Sequence, residues 1–198
     1  MTHRTITVLR SASYRAMPWR NGGGTTHEIA VFPSEGAPQW RLSVATIETG
    51  GPFSDFTGYD RTIVPLEGRG VTLELSNGER AVLDRPFRPF PFPGELTVEC
   101  QLIDGPVRDF NVMTRRSDCT HAVVELSIGR RPLELSGAAA RFVFVFEGNL
   151  VVEAAPPNVR EYLSAGDTLR LEDGETLRLH ARKRSARIAL VRIEARLP

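Results

Sequence analysis

Two arginines in the N-terminal half of the chain, Arg41 and Arg61, each lie in a segment that is rich in polar and aromatic residues. The guanidinium group carries a planar fork of N–H donors that matches a carboxylate, so arginine suits the recognition of a small acid. Hydroxyl and amide side chains nearby would supply donors and acceptors for an amide or a formyl group. The candidate ligand-binding residues are Asn21, Thr25, Arg41, Ser43, Arg61 and Asn111.

Alternation along two predicted strands brings several of these candidates together. Side chains alternate between the two faces of a strand, so Arg41 and Ser43 share one face. By the same rule, Asp109 and Asn111 share a face of a second strand. These polar faces either meet solvent or, in a barrel that holds a ligand, line its cavity. The sequence leaves both alternatives open.

A run of three glycines, Gly22–Gly24, follows Trp19 and precedes a segment typical of a strand. Glycine permits positive φ and close backbone approach, so the run is either a hairpin turn or a loop that lines a pocket. It lacks the following lysine and helix of a phosphate-binding loop. A second loop carries Phe53 and Phe56, which either form the lip of a pocket or plug a barrel. Trp19, Phe53 and Phe56 are the candidate pocket rim.

Three carboxylates, Glu28, Asp55 and Asp109, are candidates for a general base if the protein is an enzyme. A carboxylate base needs a raised pKa, which usually comes from burial, and the sequence does not report burial. These residues therefore define an alternative function. In that alternative, a metal-independent isomerase or hydrolase acts on a small organic acid.

The four histidines, His3, His27, His121 and His180, are far apart in the sequence. No pair has the spacing of metal ligands, and a metal needs several ligands that converge on one point. We therefore expect no bound metal and no other cofactor. The two cysteines do not make a disulfide framework and fit a reducing compartment, so we expect a cytoplasmic protein.

The charge balance argues against several classes of partner. The chain has 198 residues and a net charge of +1, which is not the charge of a general polyanion binder. The basic cluster 182–184 has no stacking aromatic residues beside it, so we expect no nucleic acid partner. No apolar run approaches the ~20 residues of a membrane span, so we expect no membrane contact. A homodimer is left open.

Short runs rich in β-branched and aromatic residues recur along the chain, whereas helical periodicity is nearly absent. This pattern predicts an all-β sandwich or barrel. The predicted strands are residues 27–32, 41–47, 61–65, 71–75, 96–102, 110–113, 121–126, 142–146, 150–153, 168–172, 176–180 and 188–193.

An internal repeat of a short sequence pattern, which we call the echo, divides the chain. Residues 64–73 and 143–152 each contain a hydrophobic strand, a Glu-Gly pair and a second hydrophobic strand. The echo predicts two similar β modules rather than a solenoid. We place the division near residue 130. The N-terminal module, residues 1–130, then carries the candidate pocket, and the C-terminal module, residues 131–198, is mainly structural.

The turn at Gly166–Asp167, taken alone, predicts a hairpin. Together with the upstream strand, Glu-Gly pair and strand, it resembles the cupin pattern, which is a small jelly-roll barrel. Two such modules in one chain resemble a bicupin. Four further motifs, in order, resemble the signatures of the HutD/Ves family over nearly the whole chain: residues 19–28, 40–45, 51–61 and 109–116.

This resemblance implies an all-β bicupin, two jelly-roll (double-stranded β-helix) barrels packed together, without the usual cupin metal site. It also implies an association with histidine-utilisation operons and a role in sensing or moderating flux by binding a formylated intermediate. We therefore predict a non-enzymatic regulatory protein of histidine catabolism. It holds a small carboxylate such as N-formylglutamate in the N-terminal barrel. Turnover of candidate substrates separates this prediction from the enzyme alternative, and a third alternative is a scaffold with a vestigial pocket.

Overall fold

The structure, a computed structural model, describes residues 6–136, 141–154, 159–172 and 176–196. Within these ranges the chain forms strands and one 3-10 turn, Ser11–Ser13, but no α-helix, so the all-β prediction is confirmed. No helix of the described ranges is long and apolar enough to cross a membrane. The strands are β1 (Thr7–Leu9), β2 (Arg15–Pro18), β3 (Gly24–Phe32), β4 (Trp40–Ile47), β5 (Gly51–Pro52), β6 (Tyr59–Glu67), β7 (Val71–Leu75), β8 (Arg80–Leu83), β9 (Phe90–Pro93), β10 (Val98–Leu102), β11 (Val107–Arg115), β12 (Cys119–Ile128), β13 (Leu133–Ser136), β14 (Phe142–Glu147), β15 (Asn149–Ala154), β16 (Val159–Ser164), β17 (Thr168–Arg170), β18 (Thr176–Ala181) and β19 (Ala186–Ala195).

The chain divides into two compact units whose limits differ from the predicted division at residue 130. The first, which we call the cavity unit, comprises Tyr14–His121 and Glu194–Pro198. The second unit comprises Met1–Ser13 and Ala122–Ile193. The difference arises because β1 pairs with β17 and β12 lies beside β19, which ties both the start and the middle of the chain to the second unit.

The cavity unit is built from two antiparallel sheets. The larger has the strand order β2-β3-β4-β11-β6-β9, and the smaller has the order β5-β10-β7-β8. Apolar side chains such as Ile47, Leu73 and Val98 are almost fully buried and form a core. Burial of apolar area from water, at about 25 cal/mol per Å², is the main source of stability for such a core. The central strands β4, β11 and β6 also carry the polar residues of the candidate site.

The second unit has sheets of the same kind. Their strand orders are β1-β17-β14-β19-β12 and β13-β18-β15-β16. Its interior is filled by apolar side chains, and Val143, Leu150, Leu169 and Leu179 have no solvent exposure. This core therefore contrasts with the central strands of the cavity unit, where charged side chains face inward.

The strand order of β4 to β11 is repeated by β12 to β19. The series β4-β11-β6-β9 corresponds to β12-β19-β14-β17, and β5-β10-β7-β8 corresponds to β13-β18-β15-β16. In both series a Glu-Gly turn carries the chain from one sheet to the other, with positive φ at Gly68 and Gly148. A Cβ atom would lie 2.5 Å and 2.8 Å, respectively, from a backbone oxygen at these positions. The echo in the sequence therefore marks the same sheet-to-sheet connection.

The turn at Gly166–Asp167 is not a hairpin, so that interpretation of the sequence is wrong. The strand before it, β16, pairs with β15, whereas the strand after it, β17, pairs with β14 and β1. The Asp167 carboxylate is buried and accepts hydrogen bonds from the backbone N–H groups of Ser11 and Ser164 and from the Arg10 guanidinium. Through these hydrogen bonds, the turn holds the segment around Arg10 and Ser11 within the second unit.

Candidate functional site

A cavity of about 510 Å³ opens in the cavity unit against the central strands of the larger sheet. Its floor carries polar and charged side chains, and its rim carries aromatic residues and prolines. Such a mixture is typical of a site for a small molecule. The lining residues are Met17, Pro18, Trp19, Arg20, Asn21, Thr26, Arg41, Ser43, Ala45, Ile47, Pro52, Phe53, Ser54, Phe56, Arg61, Asp109, Asn111, Val112 and Met113.

The register of the sheet explains why the polar candidates meet. Met113 of β11 is opposite Arg41 of β4 on one side and opposite Arg61 of β6 on the other. Two residues back along β11, Asn111 is opposite Ser43. Alternate residues of a strand point to the same face, so these side chains all reach the cavity. Of the two alternatives left by the sequence, the polar face that lines a cavity is the one observed.

The Arg61 guanidinium is enclosed by three aromatic rings. Its central carbon lies 5.4 Å from the ring centroid of Phe53, 4.9 Å from that of Phe56 and 4.8 Å from that of Phe92. Cations are attracted to the faces of aromatic rings, and this attraction fixes the direction of the side chain. Burial lowers the pKa of Arg61 to about 10, and nearby Asp109 opposes that shift, so the group is charged at neutral pH.

Arg41 lies on β4, on the other side of β11 from Arg61, and is also partly buried. Its Nε atom is buried, and no residue in the described part of the chain accepts a hydrogen bond from it. Burial lowers the pKa of Arg41, while the charge of Glu28 opposes the shift. Among the described residues, neither Arg41 nor Arg61 forms an ion pair with a carboxylate. The cavity therefore presents two guanidinium groups that form no salt bridge within the described part of the chain, beside a single lining carboxyl group, Asp109.

Asp109 is the buried carboxyl group of the cavity, with a residue exposure of 2%. It accepts hydrogen bonds from the side-chain amide of Asn111 and from the backbone N–H of Ala45. Burial raises the pKa of Asp109 to about 7, against the opposing effects of the Asn111 hydrogen bond and the Arg61 charge. Near neutral pH this group is therefore divided between its acid and its anion.

The other two carboxylate candidates lie off the lining. Glu28 forms an ion pair with Arg15 at 2.9 Å. Asp55 is exposed, and its carboxylate accepts hydrogen bonds from the backbone N–H and the hydroxyl group of Thr57, both at 2.8 Å. Asp55 thus shapes the rim loop, in which Phe53 and Phe56 line the cavity as predicted. Of the three candidate bases, only Asp109 lines the cavity.

The glycine run lies in a hairpin turn, and the residues just before it, Trp19, Arg20 and Asn21, line the cavity. The turn connects the paired strands β2 and β3, and the Asn21 side chain accepts a hydrogen bond from Gly23 N–H at 3.0 Å. Trp19 Nε1–H donates to Thr26 Oγ1 at 2.8 Å, which holds the indole at the rim. The two sequence alternatives for this segment therefore describe the same turn.

Of the six predicted ligand-binding residues, Thr25 is the one that lies off the cavity lining. Thr26 lines the cavity, and Thr25 does not, because neighbouring residues of β3 point to opposite faces. Phe92, whose ring lies against Arg61, was not among the predicted residues. Its signal was present in the repeated Phe-Pro pairs of 90–93, where Phe92 lies opposite Arg61 in the sheet.

The histidines do not converge. Among the described residues, no group of three or more metal-ligating side chains lies close enough to hold a metal ion, and His3 lies outside the described residues. His121 instead bridges two buried threonines, with Nε2 2.9 Å from Thr62 Oγ1 and Nδ1 2.7 Å from Thr114 Oγ1. Burial lowers the pKa of His121 to about 4, so this ring is neutral and structural.

His121 should make the protein sensitive to acid. An unfolded histidine takes up a proton near pH 6.5, whereas the folded His121 does so only near pH 4, so its contribution to stability falls as pH falls through this window. His121→Gln keeps a donor and an acceptor but does not titrate. We expect the free energy of unfolding of wild type, relative to this variant, to fall by about 2–3 kcal/mol between pH 7 and 4.5. Urea unfolding at several pH values tests this, and an unchanged difference would contradict it.

The all-β fold and strand order define a cupin-like protein. The cupin 2 conserved barrel domain protein of Leptotrichia buccalis covers 94% of the chain, and the chain covers all of it, with a TM-score of 0.62 at 7% identity. The chain belongs to the HutD family, whose model matches residues 11–189.

Relatives of known sequence and structure agree with this assignment. An uncharacterised 21.2 kDa protein from the hutC 3′ region of Pseudomonas putida is 38% identical over 87% of this chain and 90% of its own length. Protein Ves of Escherichia fergusonii is 38% identical over 68% of this chain and 71% of its own length. The structure of HutD from Pseudomonas fluorescens, in a formate condition, has a TM-score of 0.81 at 32% identity, with 98% of this chain and all of that chain covered.

Proposed function

We propose that this protein is a non-enzymatic binding protein of histidine catabolism that holds a small carboxylate, such as N-formylglutamate, in the cavity beside Arg41 and Arg61. The observation that carries the proposal is a pair of guanidinium groups in one cavity, without carboxylate partners among the described residues. A partly buried cation that lacks a counter-ion is costly, and an anionic ligand offsets that cost. Family membership and the hutC-region relative support the pathway.

The dimensions and neutral groups of the cavity also support a small acid. A volume of about 510 Å³ lies within the range of ~300–1,000 Å³ that is usual for small-molecule sites. Ser43 lies two residues along β4 from Arg41 and is opposite Asn111 of β11. Both side chains can form hydrogen bonds with an amide or formyl group. The cavity therefore offers charge-assisted donors for carboxylates and neutral groups for the remainder of the ligand.

The repeated strand order supports a bicupin arrangement. Each repeat contributes eight strands to two antiparallel sheets, as expected of a jelly-roll barrel. In the first repeat, charged side chains of the inner strands line a cavity, whereas the described interior of the second repeat is filled by apolar residues. We accordingly assign ligand binding to the first repeat and a structural role to the second, in a cytoplasmic protein with two free cysteines.

One observation favours a second candidate function. Asp109 is buried in the cavity wall with a pKa near 7, which suits a general base for a metal-independent isomerase or hydrolase. Incubation of the protein with N-formyl-L-glutamate, followed by proton NMR, separates the candidates. A binding protein leaves the spectrum unchanged, whereas turnover that is lost in Asp109→Asn would establish the enzyme.

The binding proposal is tested with Arg41→Ala and Arg61→Ala. A charge-assisted hydrogen bond contributes about 1.5–3 kcal/mol, so each variant should bind N-formyl-L-glutamate roughly tenfold more weakly or worse. Ligand that binds only the folded state raises the melting temperature, and both variants should lose this rise. Titration calorimetry and thermal melts provide the two readouts.

Arg108→Ala is the matched control, because Arg108 lies on the same strand, β11, but pairs with Glu67 outside the cavity. Circular dichroism establishes that each variant is folded. If the variants of Arg41 and Arg61 keep the full response to ligand, the carboxylate site is not in this cavity.

A further inference from the structure

The charged groups around Asp109 can be counted strand by strand. Arg41 on β4 and Arg61 on β6 are the cations of the cavity interior, and the exposed Arg20 lies at its rim. Cys100 on β10 is buried, and its thiol stays neutral because burial and the Asp109 charge raise its pKa to about 12. Asp109 is thus the carboxylate that shares the cavity lining with the two interior guanidinium groups, and its charge acts on that of Arg61.

Three further groups, Glu28, Arg15 and Tyr59, act on Arg41 rather than on Asp109. Glu28 on β3 influences Arg41 but has its own partner in Arg15 of β2. Tyr59 at the start of β6 also influences Arg41, and its hydroxyl group donates a hydrogen bond to the Pro38 carbonyl at 2.7 Å. None of these groups is among those that shift the pKa of Asp109.

We infer that Asp109 selects the charge of the ligand: the cavity takes an acid with two carboxylates and Asp109 binds one proton as that acid arrives. This inference rests on the proposed carboxylate site. Arg41 and Arg61 together carry two positive charges, and ionised Asp109 leaves a net charge of +1 in the interior. A dianion would bring this net charge to −1, whereas a dianion with protonated Asp109 brings it to zero.

The hydrogen bonds around the Asp109 carboxyl group allow its proton to be donated to a ligand. Asn111 and the backbone N–H of Ala45 already donate to the Asp109 carboxyl group. A protonated Asp109 has one O–H donor, and an acid carboxyl group keeps acceptor capacity for its existing donors. The new O–H can donate to a ligand carboxylate that lies between the two arginines. A ligand with one carboxylate gives no such benefit, because ionised Asp109 then completes the charge balance.

Two ligands of nearly equal shape test the inference on the wild-type protein: N-formyl-L-glutamate, a dianion, and N-formyl-L-glutamine, its monoanionic side-chain amide. Titration calorimetry at pH 8 in two buffers of different ionisation enthalpy counts the protons taken up on binding. Since free Asp109 is about one-tenth protonated at pH 8, we expect about 0.9 proton for the dianion and close to none for the amide. The Kd of the dianion should also rise about tenfold per pH unit above pH 7.

The variant Asp109→Asn is the control, because its neutral side chain cannot titrate. It should bind the dianion without proton uptake and without the pH slope above pH 7. If neither ligand binds the wild-type protein, the proposed carboxylate site itself fails. If the dianion binds wild type but takes up no proton, the site stands and the role of Asp109 is overturned, and this result does not depend on the folding of any variant.

Discussion

Gly24→Ala is expected to destabilise the protein by more than about 3 kcal/mol and to abolish ligand binding. An added Cβ atom would lie 2.3 Å from the backbone oxygen of Thr46 and 3.1 Å from two ring atoms of Trp19. The backbone oxygen belongs to the paired strand β4 and cannot rotate away, so the β3–β4 pairing or the Trp19 ring must move. Overpacking in a well-packed site costs about 1–3 kcal/mol, and a clash with backbone exceeds that range.

The neighbouring glycines supply graded controls for this prediction. At Gly23 the nearest atom to a Cβ is the Thr49 hydroxyl oxygen at 2.9 Å, which can move by side-chain rotation, so Gly23→Ala should cost little. Gly22 has open space but a φ of +70°, so Gly22→Ala should cost about 1–2 kcal/mol from backbone strain alone. Urea unfolding of the three variants provides the comparison. Equal losses at Gly23 and Gly24 would show that close approach to Thr46 is not what requires glycine here.

Asp109→Asn is expected to stabilise the protein selectively at high pH. The folded pKa of Asp109, about 7, lies above its unfolded value of about 3.8, so folding favours the protonated form. The stability that this group contributes is therefore present at acidic pH and is lost as pH rises through 7. Relative to wild type, the free energy of unfolding of the variant should increase by about 2–3 kcal/mol between pH 5 and pH 8.

The comparison with wild type is essential, because His121 has the opposite effect in an overlapping pH range. Stability from His121 rises with pH from about 4 to 6.5, while that from Asp109 falls between about 4 and 7. The two contributions offset each other in wild type, so its own pH profile can be nearly flat. The difference between Asp109→Asn and wild type reports the contribution of Asp109, and the difference between His121→Gln and wild type reports that of His121. If the difference between Asp109→Asn and wild type is constant from pH 5 to 8, Asp109 is ionised throughout.

The central strands were predictable from the sequence, whereas β12 was the only edge strand predicted among the described residues. β7 coincides with the predicted run 71–75, and β14 with 142–146 apart from one residue. The strands that were missed, β1, β2, β5, β8, β9, β13 and β16, all lie at the edges of their sheets. An edge strand pairs on one side and tolerates exposed polar residues and proline, as in β9, so its hydrophobic signal is weak.

The site was predictable in composition but not in its electrostatics. Alternation placed Arg41 beside Ser43 and Asp109 beside Asn111 on shared faces, and the structure keeps both pairs in the cavity. Alternation alone does not say which face turns inward, so Thr25 was predicted although its neighbour Thr26 is the residue that lines the cavity. The pKa of Asp109 depends on burial by neighbouring strands, and no local pattern in the sequence carries that information.

The path of the chain through its two units has a consequence for synthesis on the ribosome. Strand β1 emerges early, but its partner β17 is made only when residues 168–170 are translated. The stretch Tyr14–His121, by contrast, is continuous and contains every residue that lines the cavity. Domains generally fold as units during translation, beginning from the N-terminus. The cavity can therefore form on the nascent chain before the partner strand of β1 has been synthesised.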